Sequence, residues 1–414
     1  MALKVFSLEG RGLKLDTAAD IEAHIGALRE DDGVEEVQFH GNTLGVEACE
    51  ALAKVLESKM SLQIANLADI FTARLLSEIP PALSALLTSL LTLPQLHTIN
   101  LSDNAFGLKT VAPLQSFLSQ HTPLQHLILN NNGLGPAAGT LVAEALTSLA
   151  TKKEEARKAG EQVLDLETVV CGRNRLENGS MEAWARAYQA HKNMRSVKMV
   201  QNGIRQEGIS YLLQNGLSQC TKLQVLDLQD NTFTSMGARA LSDVVGRWTG
   251  LQELGVGDCL LGAKGGTYLA NALKAGSNKS LEILRLQYNE IDAKSLEQLS
   301  HAASSLPQLR RIELNGNKFS DEDAALERLK ELLDDRREAA GPGFEEGVDE
   351  NWGIDELDDL EDESDEEDEV VSEDEGKDAE RVVKEADEAE EENVPLEEDE
   401  RVDELADILK KAEI

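Results

Sequence analysis

The sequence predicts an α/β solenoid, in which short parallel strands line the inner surface and one helix per unit covers the outer surface. A pattern of the form LxxLxLxxN, followed two residues later by an apolar residue, is matched closely or loosely by eleven stretches. These begin at residues 3, 34, 62, 96, 124, 166, 194, 223, 251, 281 and 309, so spacings of 28 to 30 residues dominate. The segments between them carry apolar residues at helical spacing. This combination is typical of long, ribonuclease-inhibitor-like leucine-rich repeats.

The first half of each repeat predicts a strand and a turn. In the repeat that begins at Leu124, Leu127 and Leu129 are expected to point into the core, because side chains alternate along a strand. Asn132 then occupies the position of the repeat asparagine, which we call the ladder position. Its amide is expected to bond backbone groups of the neighbouring repeats, since buried backbone groups need partners.

The second half of each repeat predicts the outer helix. In "GPAAGTLVAEALTSLA", Pro136 suits the first helical turn, and Leu141, Leu146 and Leu149 recur at helical spacing. No single repeat can bury its own apolar face, so the repeats must stack and the two ends need polar caps. Arg11 at the first ladder position and the charged helix "DEDAALERLKELLDDRREAA" after the last strand both suit capping.

Two repeats depart from the regular spacing. The repeat that begins at Leu62 has Ile70 at its ladder position and lies 34 residues before the next repeat. Arg74 falls in its extended loop. A gap of 42 residues before the repeat at residue 166 contains the insertion "ATKKEEARKAGEQ". Departures of this kind are where we expect functional residues, because the repeat itself does not require them.

The composition divides the chain into a repeat domain, residues 1–341, and an acidic tail, residues 342–400. Residues 345–400 contain 31 Asp and Glu against three Lys and Arg, a net charge of -28 out of -37 for the whole chain. Such a segment cannot bury enough apolar surface to offset its ordering entropy, so we expect it to be disordered. Residues 401–414 regain helical spacing, either as a transient helix in a solvated tail or as a partner motif.

The sequence gives no sign of a catalytic or metal site. It has no GxxxxGK[ST] phosphate loop, no GxSxG elbow and no HExxH helix, and its seven His lack metal-ligand spacing. Cys49, Cys171, Cys220 and Cys259 show no paired spacing, and no secretory signal precedes the first repeat, which indicates a reducing compartment. The apolar run "IPPALSALLTSLLTL" is too short to span a bilayer. We therefore expect a protein that binds another macromolecule.

Several polar residues lie where the strands are expected to run into the helices. Asn131 precedes the ladder residue Asn132 and is not required by the repeat. Arg173 and Arg175 flank the ladder residue Asn174. With Lys198 and Arg205, these two arginines are expected to cluster on the same rim if the repeats stack regularly. The alternative for each of the four basic residues is an ordinary solvated charge.

Specific segments go beyond a generic repeat. "ADIFTARLLSEIPPAL", "HTPLQHLILNNNGLGP", "CGRNRLENGSM" and "VKMVQNGIRQEGI", together with the acidic tail, resemble the Ran GTPase-activating protein family. The similarity extends over nearly the whole repeat domain, residues 1 to about 340. The chain resembles the shorter, fungal-type members, because it stops soon after the acidic run.

The resemblance implies a protein that binds GTP-bound Ran and accelerates its GTP hydrolysis, in support of nucleocytoplasmic transport. Members of this family position the glutamine of the GTPase without an arginine finger, and the asparagine that does so matches Asn131. Arg74 matches a family arginine that is important for activation through binding or loop geometry. Arg173, Arg175, Lys198 and Arg205 are candidates for partner contacts.

The resemblance also implies the setting of this activity. GTP and Mg²⁺ would be held by the GTPase, so the chain itself would need no cofactor and would not be an enzyme in its own right. We expect a monomer that acts in the cytoplasm, with the nuclear envelope as a further location and a Ran-binding protein as a further partner. We expect no nucleic acid partner and no membrane span.

Two other functions fit parts of the sequence. An acidic leucine-rich histone-chaperone-like protein would use the tail to mask basic partners, and the net charge favours it. Its repeats, however, are expected to be in the low twenties of residues rather than near 28. A blocker similar to ribonuclease inhibitor shares the repeat length, but should use its concave face and Cys-rich repeats.

Overall fold

A computed structural model describes residues 3–340 and 352–361 of the 414-residue chain. Each of the eleven predicted repeats contributes one strand to a single parallel sheet, which confirms the solenoid. The strands are β1 Val5–Ser7, β2 Lys14–Leu15, β3 Glu36–Gln38, β4 Thr43–Leu44, β5 Ile64–Asn66, β6 Thr98–Asn100, β7 His126–Ile128, β8 Thr168–Val170, β9 Ser196–Lys198, β10 Val225–Asp227, β11 Glu253–Gly255, β12 Ile283–Arg285, β13 Arg311–Glu313 and β14 Gly353–Ile354.

The order of strands in the main sheet follows the order in the chain, from β1 through β3 and β5 to β14. Its register places equivalent repeat positions side by side, so that Ile99 pairs with Leu127 and Leu127 with Val169. Strands β2 and β4 form a separate two-stranded parallel sheet. The buried leucines of the repeat pattern thus form one continuous core along the solenoid.

Helices cover the outer side, and neighbouring helices pack against each other. They are α1 Ala18–Glu22, α2 Gly26–Glu30, α3 Val46–Leu56, α4 Ile79–Leu91, α5 Ala112–Leu118, α6 Gly135–Lys158, α7 Met181–Ala190, α8 Gln206–Tyr211, α9 Thr234–Val244, α10 Gly262–Lys274, α11 Ala293–Ala303 and α12 Ala324–Ala340. A proline lies in the first turn of α4, α5 and α6, where its missing N–H costs nothing.

The 42-residue gap is occupied mainly by a longer helix, because α6 continues through most of the insertion to Lys158. Lys153 on this extension is 1% exposed. Its ammonium donates to the carbonyl oxygens of Thr122, Leu124 and Leu164, each at 2.7 Å. All three donors of the ammonium are therefore used, and the extension is fixed to the repeats beside it.

The boundary expected between repeat domain and tail is wrong for the part of the tail that the structure describes. Residues 352–361 add strand β14 to the edge of the sheet, in parallel register with β13. The Asp355 carboxylate accepts from the backbone N–H groups of Leu314 at 2.6 Å and Asn315 at 3.0 Å. Ile354, Leu357 and Leu360 pack against the core.

This acidic segment covers an edge strand that would otherwise present unpaired backbone groups. Its apolar residues lie between acidic ones, so the prediction from net charge did not detect them. The other residues of the predicted tail, 342–351 and 362–400, and the C-terminal segment 401–414 lie outside the described residues.

Candidate functional site

The loops that follow the strands form a regular row of side chains along the carboxyl edge of the sheet. The residue just before each ladder position has a φ angle between 46° and 62° in eight successive repeats. Its backbone N–H donates to a carbonyl oxygen of the next repeat, at 2.8 to 3.0 Å. We call these residues the edge row: Asp69, Asp103, Asn131, Arg173, Gln201, Asp230, Asp258 and Tyr288.

The ladder position has the structural role that the sequence predicts. Asn132 is 1% exposed and its amide donates to the carbonyl oxygens of Leu129 at 3.0 Å and Leu101 at 3.1 Å. Its Oδ1 accepts from the backbone N–H of Asn104 at 2.8 Å. Every one of these bonds satisfies a buried backbone group, so Asn132 is part of the scaffold.

The three consecutive asparagines have three different environments. Asn130 Oδ1 accepts from the backbone N–H of Gly172 at 2.7 Å, which ties it to the next repeat. Asn131, in contrast, is exposed and has a φ angle of 51°, in the left-handed region that Asn tolerates better than most residues. Only the Asn131 side chain therefore faces away from the scaffold.

Asn131 is nevertheless held in place. Its Nδ2 donates to Asp103 Oδ1 at 2.8 Å, and Asp103 is the edge-row residue of the preceding repeat. The two side chains start from equivalent backbone positions in adjacent repeats, so the stacking of the repeats brings them together. Sequence reasoning did not find Asp103, although its position before the ladder residue Asn104, 28 residues before Asn131, was a usable signal.

Arg74 lies on the inner side of its loop. Its side chain is 8% exposed. The guanidinium donates to Thr43 Oγ1 at 2.9 Å, to the Thr43 carbonyl oxygen at 2.9 Å and to Asp16 Oδ1 at 2.5 Å. Hydrogen bonds to Arg74 and then to Lys14 hold the pKa of the Asp16 carboxyl below its usual value. Arg74 thus joins the extended loop to the small sheet of β2 and β4.

The four basic candidates are not all on one rim. Arg173 and Arg175 are exposed at the carboxyl edge, on either side of the buried Asn174. Arg205 lies further along the next loop, at the N-cap of α8. Lys198 is the last residue of β9 and lies on the strand face of the sheet, so the expected common rim is wrong for Lys198.

The reason is the alternation of side chains along the strand. Val197 and Met199 are buried on the two sides of Lys198, so the lysine must face the inner surface of the solenoid. Arg173 and Arg175 are exposed at the carboxyl edge, as the sequence predicts, whereas the strand places Lys198 on the inner surface.

Large apolar side chains are exposed in two consecutive edge loops. Leu75 and Leu76, next to Arg74, are 68% and 58% exposed, and Leu108 in the following loop is 60% exposed. Exposed leucines of this kind are typical of protein interaction surfaces. They lie on the repeats that precede and contain Asp103.

The described residues contain no group of three or more His, Cys, Asp or Glu that could hold a metal ion. The four cysteines are free and buried. Burial raises the pKa of the Cys49, Cys171 and Cys220 thiols to about 12, and raises the pKa of Cys259 as well, which makes them poor nucleophiles. Among the helices of the described part, none combines the length and apolarity that a bilayer crossing requires.

Comparison with known proteins adds to this geometry. A family profile described as "Leucine Rich repeat" matches residues 219–242 and 277–300. Over 341 residues the chain is 38% identical to "Ran GTPase-activating protein 1" of Saccharomyces cerevisiae, and the match covers 80% of this chain and 83% of that protein.

Two animal proteins match over a smaller share of their length. "Ran GTPase-activating protein 1" of Xenopus laevis is 41% identical over 201 residues, which is 48% of this chain and 34% of that protein. "Ran GTPase-activating protein" of Drosophila melanogaster is 33% identical over 319 residues, which is 76% of this chain and 52% of that protein. The chain thus spans most of the yeast relative and about a third to a half of these two.

Proposed function

The chain belongs to the Ran GTPase-activating protein family, and on that premise we propose how it acts on GTP-bound Ran. The carboxyl-edge loops around Asn131 bind the GTPase, and Asn131 holds the GTPase's own glutamine so that the glutamine orients the attacking water. GTP and Mg²⁺ are bound by Ran, and the chain contributes no nucleotide site. The observation that carries this proposal is the exposed, fixed amide of Asn131.

The chemistry of an amide suits this role. An amide can donate and accept hydrogen bonds at the same time, so it can fix the orientation of another amide without adding charge. The Asn131 backbone is anchored to the next repeat by its N–H bond to the Gly172 carbonyl oxygen at 2.9 Å. Because the Asn131 amide is already ordered, it loses little entropy when it orders the glutamine of Ran, and this favours the reactive geometry.

The position of Arg74 supports activation without an arginine finger. A finger must reach the phosphates of a bound nucleotide, and it accelerates hydrolysis by about 10³ to 10⁵. Arg74 is almost buried, and its guanidinium already bonds Thr43 and Asp16. We therefore assign it the role of fixing the loop that carries the exposed Leu75 and Leu76.

The surface around Asn131 suits a protein partner. Exposed leucines on the two preceding repeats offer apolar contact area, and the edge-row residues of these repeats and of the Asn131 repeat offer polar side chains in a fixed arrangement. Arg173 and Arg175 extend this surface by one repeat and are proposed to contact Ran, together with Arg205. Lys198 would reach the partner only if Ran also contacts the inner face.

We further propose that the chain acts as a monomer in the cytoplasm, in support of nucleocytoplasmic transport. The support for this proposal is the membership of the chain in the family. Association with the nuclear envelope or with a Ran-binding protein would be an addition to this activity.

The decisive experiment is single-turnover GTP hydrolysis by purified Ran, with saturating amounts of this chain. We expect strong acceleration by the unchanged chain, and at least a tenfold lower rate with Asn131→Ala, or about 1.4 kcal/mol of barrier. Asn131→Gly should behave in the same way, and it tolerates the left-handed backbone better. The affinity for Ran loaded with a non-hydrolysable analogue should change little.

Gln201→Ala is the matched control, because it removes an exposed amide from the same backbone position two repeats further along. This variant should keep the wild-type rate at saturation. If Asn131→Ala and Asn131→Gly both kept the full rate, Asn131 would have no role in positioning the glutamine.

The histone-chaperone-like alternative makes a different prediction. It depends on the acidic tail, most of which lies beyond residue 361. A chain that ends after Glu361 keeps the whole described repeat domain and should still activate Ran. Under the alternative, the shortened chain would lose most of its binding to basic proteins. The binding that remains would weaken further at raised salt.

A further inference from the structure

The hydrogen bond between Asn131 and Asp103 fixes more than the position of the amide. Both residues have left-handed backbones, with φ angles of 51° and 62°. The Asp103 backbone N–H donates to the Asn130 carbonyl oxygen at 2.9 Å, as Asn131 does to Gly172. Since both backbones are anchored in the same way, the 2.8 Å contact between their side chains joins two fixed points.

The chemistry of the pair allows one orientation of the amide. An ionised carboxylate can only accept hydrogen bonds, whereas the amide of asparagine has a donating nitrogen and an accepting oxygen. If the Asn131 amide were turned over, its Oδ1 would face the carboxylate and the contact would be repulsive. The nitrogen therefore faces Asp103, and Oδ1 is left on the other side of the amide.

We propose that Asp103 is a positioning residue, which fixes the orientation of the Asn131 amide and so the direction of its hydrogen bond to the glutamine of Ran. The inference rests on the proposed function of Asn131. With Oδ1 directed away from Asp103, Asn131 accepts from the amide nitrogen of the glutamine. The glutamine oxygen is then directed away from Asn131, where it can accept a hydrogen bond from the attacking water.

This arrangement gives a hydrogen-bond series with one direction, from water to glutamine to Asn131 to Asp103. Each group donates to the next, and the carboxylate ends the series as the acceptor. An amide at position 103 would not impose this direction, because it could pair with Asn131 in either orientation. The charge on Asp103 thus has a function that an uncharged residue of the same size lacks.

The test is a double-mutant cycle between positions 103 and 131, measured by single-turnover hydrolysis of GTP on Ran over a range of chain concentrations. Asp103→Gly tolerates the left-handed backbone and releases the amide to several rotamers, so we expect a maximal rate about three- to tenfold lower. Asp103→Asn should lower the maximal rate by about twofold, because either orientation of the amide becomes possible. The chain concentration that gives half of the maximal rate should change little in both variants.

The cycle separates positioning from direct contact. In an Asn131→Gly background, Asp103→Gly should cause no further loss, because a positioning residue acts only through the group it positions. Losses that multiply in the double variant would overturn the proposal. So would a wild-type maximal rate for Asp103→Gly when Asn131 is present.

Asp258→Asn is the matched control. It removes the same charge from the same backbone position, five repeats along the edge row from Asp103, where it cannot reach Asn131. This variant should leave the maximal rate unchanged. An equal loss with Asp258→Asn would assign the effect to net charge and overturn the proposal.

The outcome also distinguishes this inference from the proposed function. If the unchanged chain failed to accelerate hydrolysis on Ran, the proposed function itself would be wrong. If the unchanged chain were active and Asn131→Gly were impaired while Asp103→Gly were normal, only the role of Asp103 would be wrong.

Discussion

Arg74 provides the sharpest test of how the carboxyl edge supports activation. We predict that Arg74→Ala lowers both stability and Ran activation, because the guanidinium fixes the loop to the small sheet. Three bonds of good length are lost, two to Thr43 and one to Asp16. A bond to a charged group contributes about 1.5 to 3 kcal/mol, but the Asp16 side chain is 44% exposed and regains water.

The net cost of Arg74→Ala is therefore about 2 to 4 kcal/mol, mainly from the two bonds to Thr43. The effect should be local, because repeat proteins are stabilised by contacts between neighbouring repeats. Ala73 has a φ angle of 63°, which is unfavourable for alanine, so the loop conformation depends on such contacts. We expect a lower Tm and earlier protease cleavage in this loop.

Partner variants decide whether Arg74 acts through the loop. Thr43→Val and Asp16→Asn weaken its bonds without changing the arginine, and both should lower activation in the same direction as Arg74→Ala. Arg74→Lys should recover only part of the activity, since an ammonium cannot reproduce the planar set of bonds. Stability is measured by thermal unfolding and activation by single-turnover hydrolysis.

Two results would refute this reasoning. One is full activity of Arg74→Lys, which would exclude a role that depends on guanidinium geometry. The other is a loss of about 10³ or more with unchanged Tm in Arg74→Ala, while Thr43→Val and Asp16→Asn remain active. That combination would indicate direct contact between Arg74 and the reacting groups.

Two further predictions concern stability. A chain that ends after Ala340 lacks β14, so it should unfold at a lower Tm than a chain that ends after Glu361. The contacts of β14 stabilise this end of the sheet by about 2 to 4 kcal/mol. An equal Tm for the two chains would show that β14 contributes nothing to stability. Burial lowers the pKa of His191 from 6.5 to about 4, and its ring donates to the Leu146 carbonyl oxygen at 2.8 Å. The unfolded chain therefore binds a proton at His191 more tightly than the folded chain does. The contribution of neutral His191 to the free energy of unfolding is present above pH 6.5 and should fall by about 2 kcal/mol between about pH 7 and 5. His191→Gln, which does not titrate, should reduce this pH dependence in chemical denaturation, and an unchanged pH dependence would exclude the contribution of His191.

Much of the candidate site could be predicted from the repeat pattern. Because Asn132 is required by the ladder and Asn131 is not, the sequence already separated scaffold from exposed amide, and the structure places them as expected. Arg74 was also correctly placed in a loop that departs from the repeat. The sequence could not show that its guanidinium turns inward to Asp16, which is 58 residues away in the chain.

The sequence by itself determined the strand of each repeat, the outer helices and the ladder, since these follow from local periodicity and from the need of each repeat to bury one face. The tertiary structure decided which side chains meet across repeats. It pairs Asn131 with Asp103, turns Lys198 to the inner face and docks residues 352–361 as the last strand. These contacts depend on the register of stacked repeats and on the shape of the sheet edge, and a pattern along the chain does not contain that information.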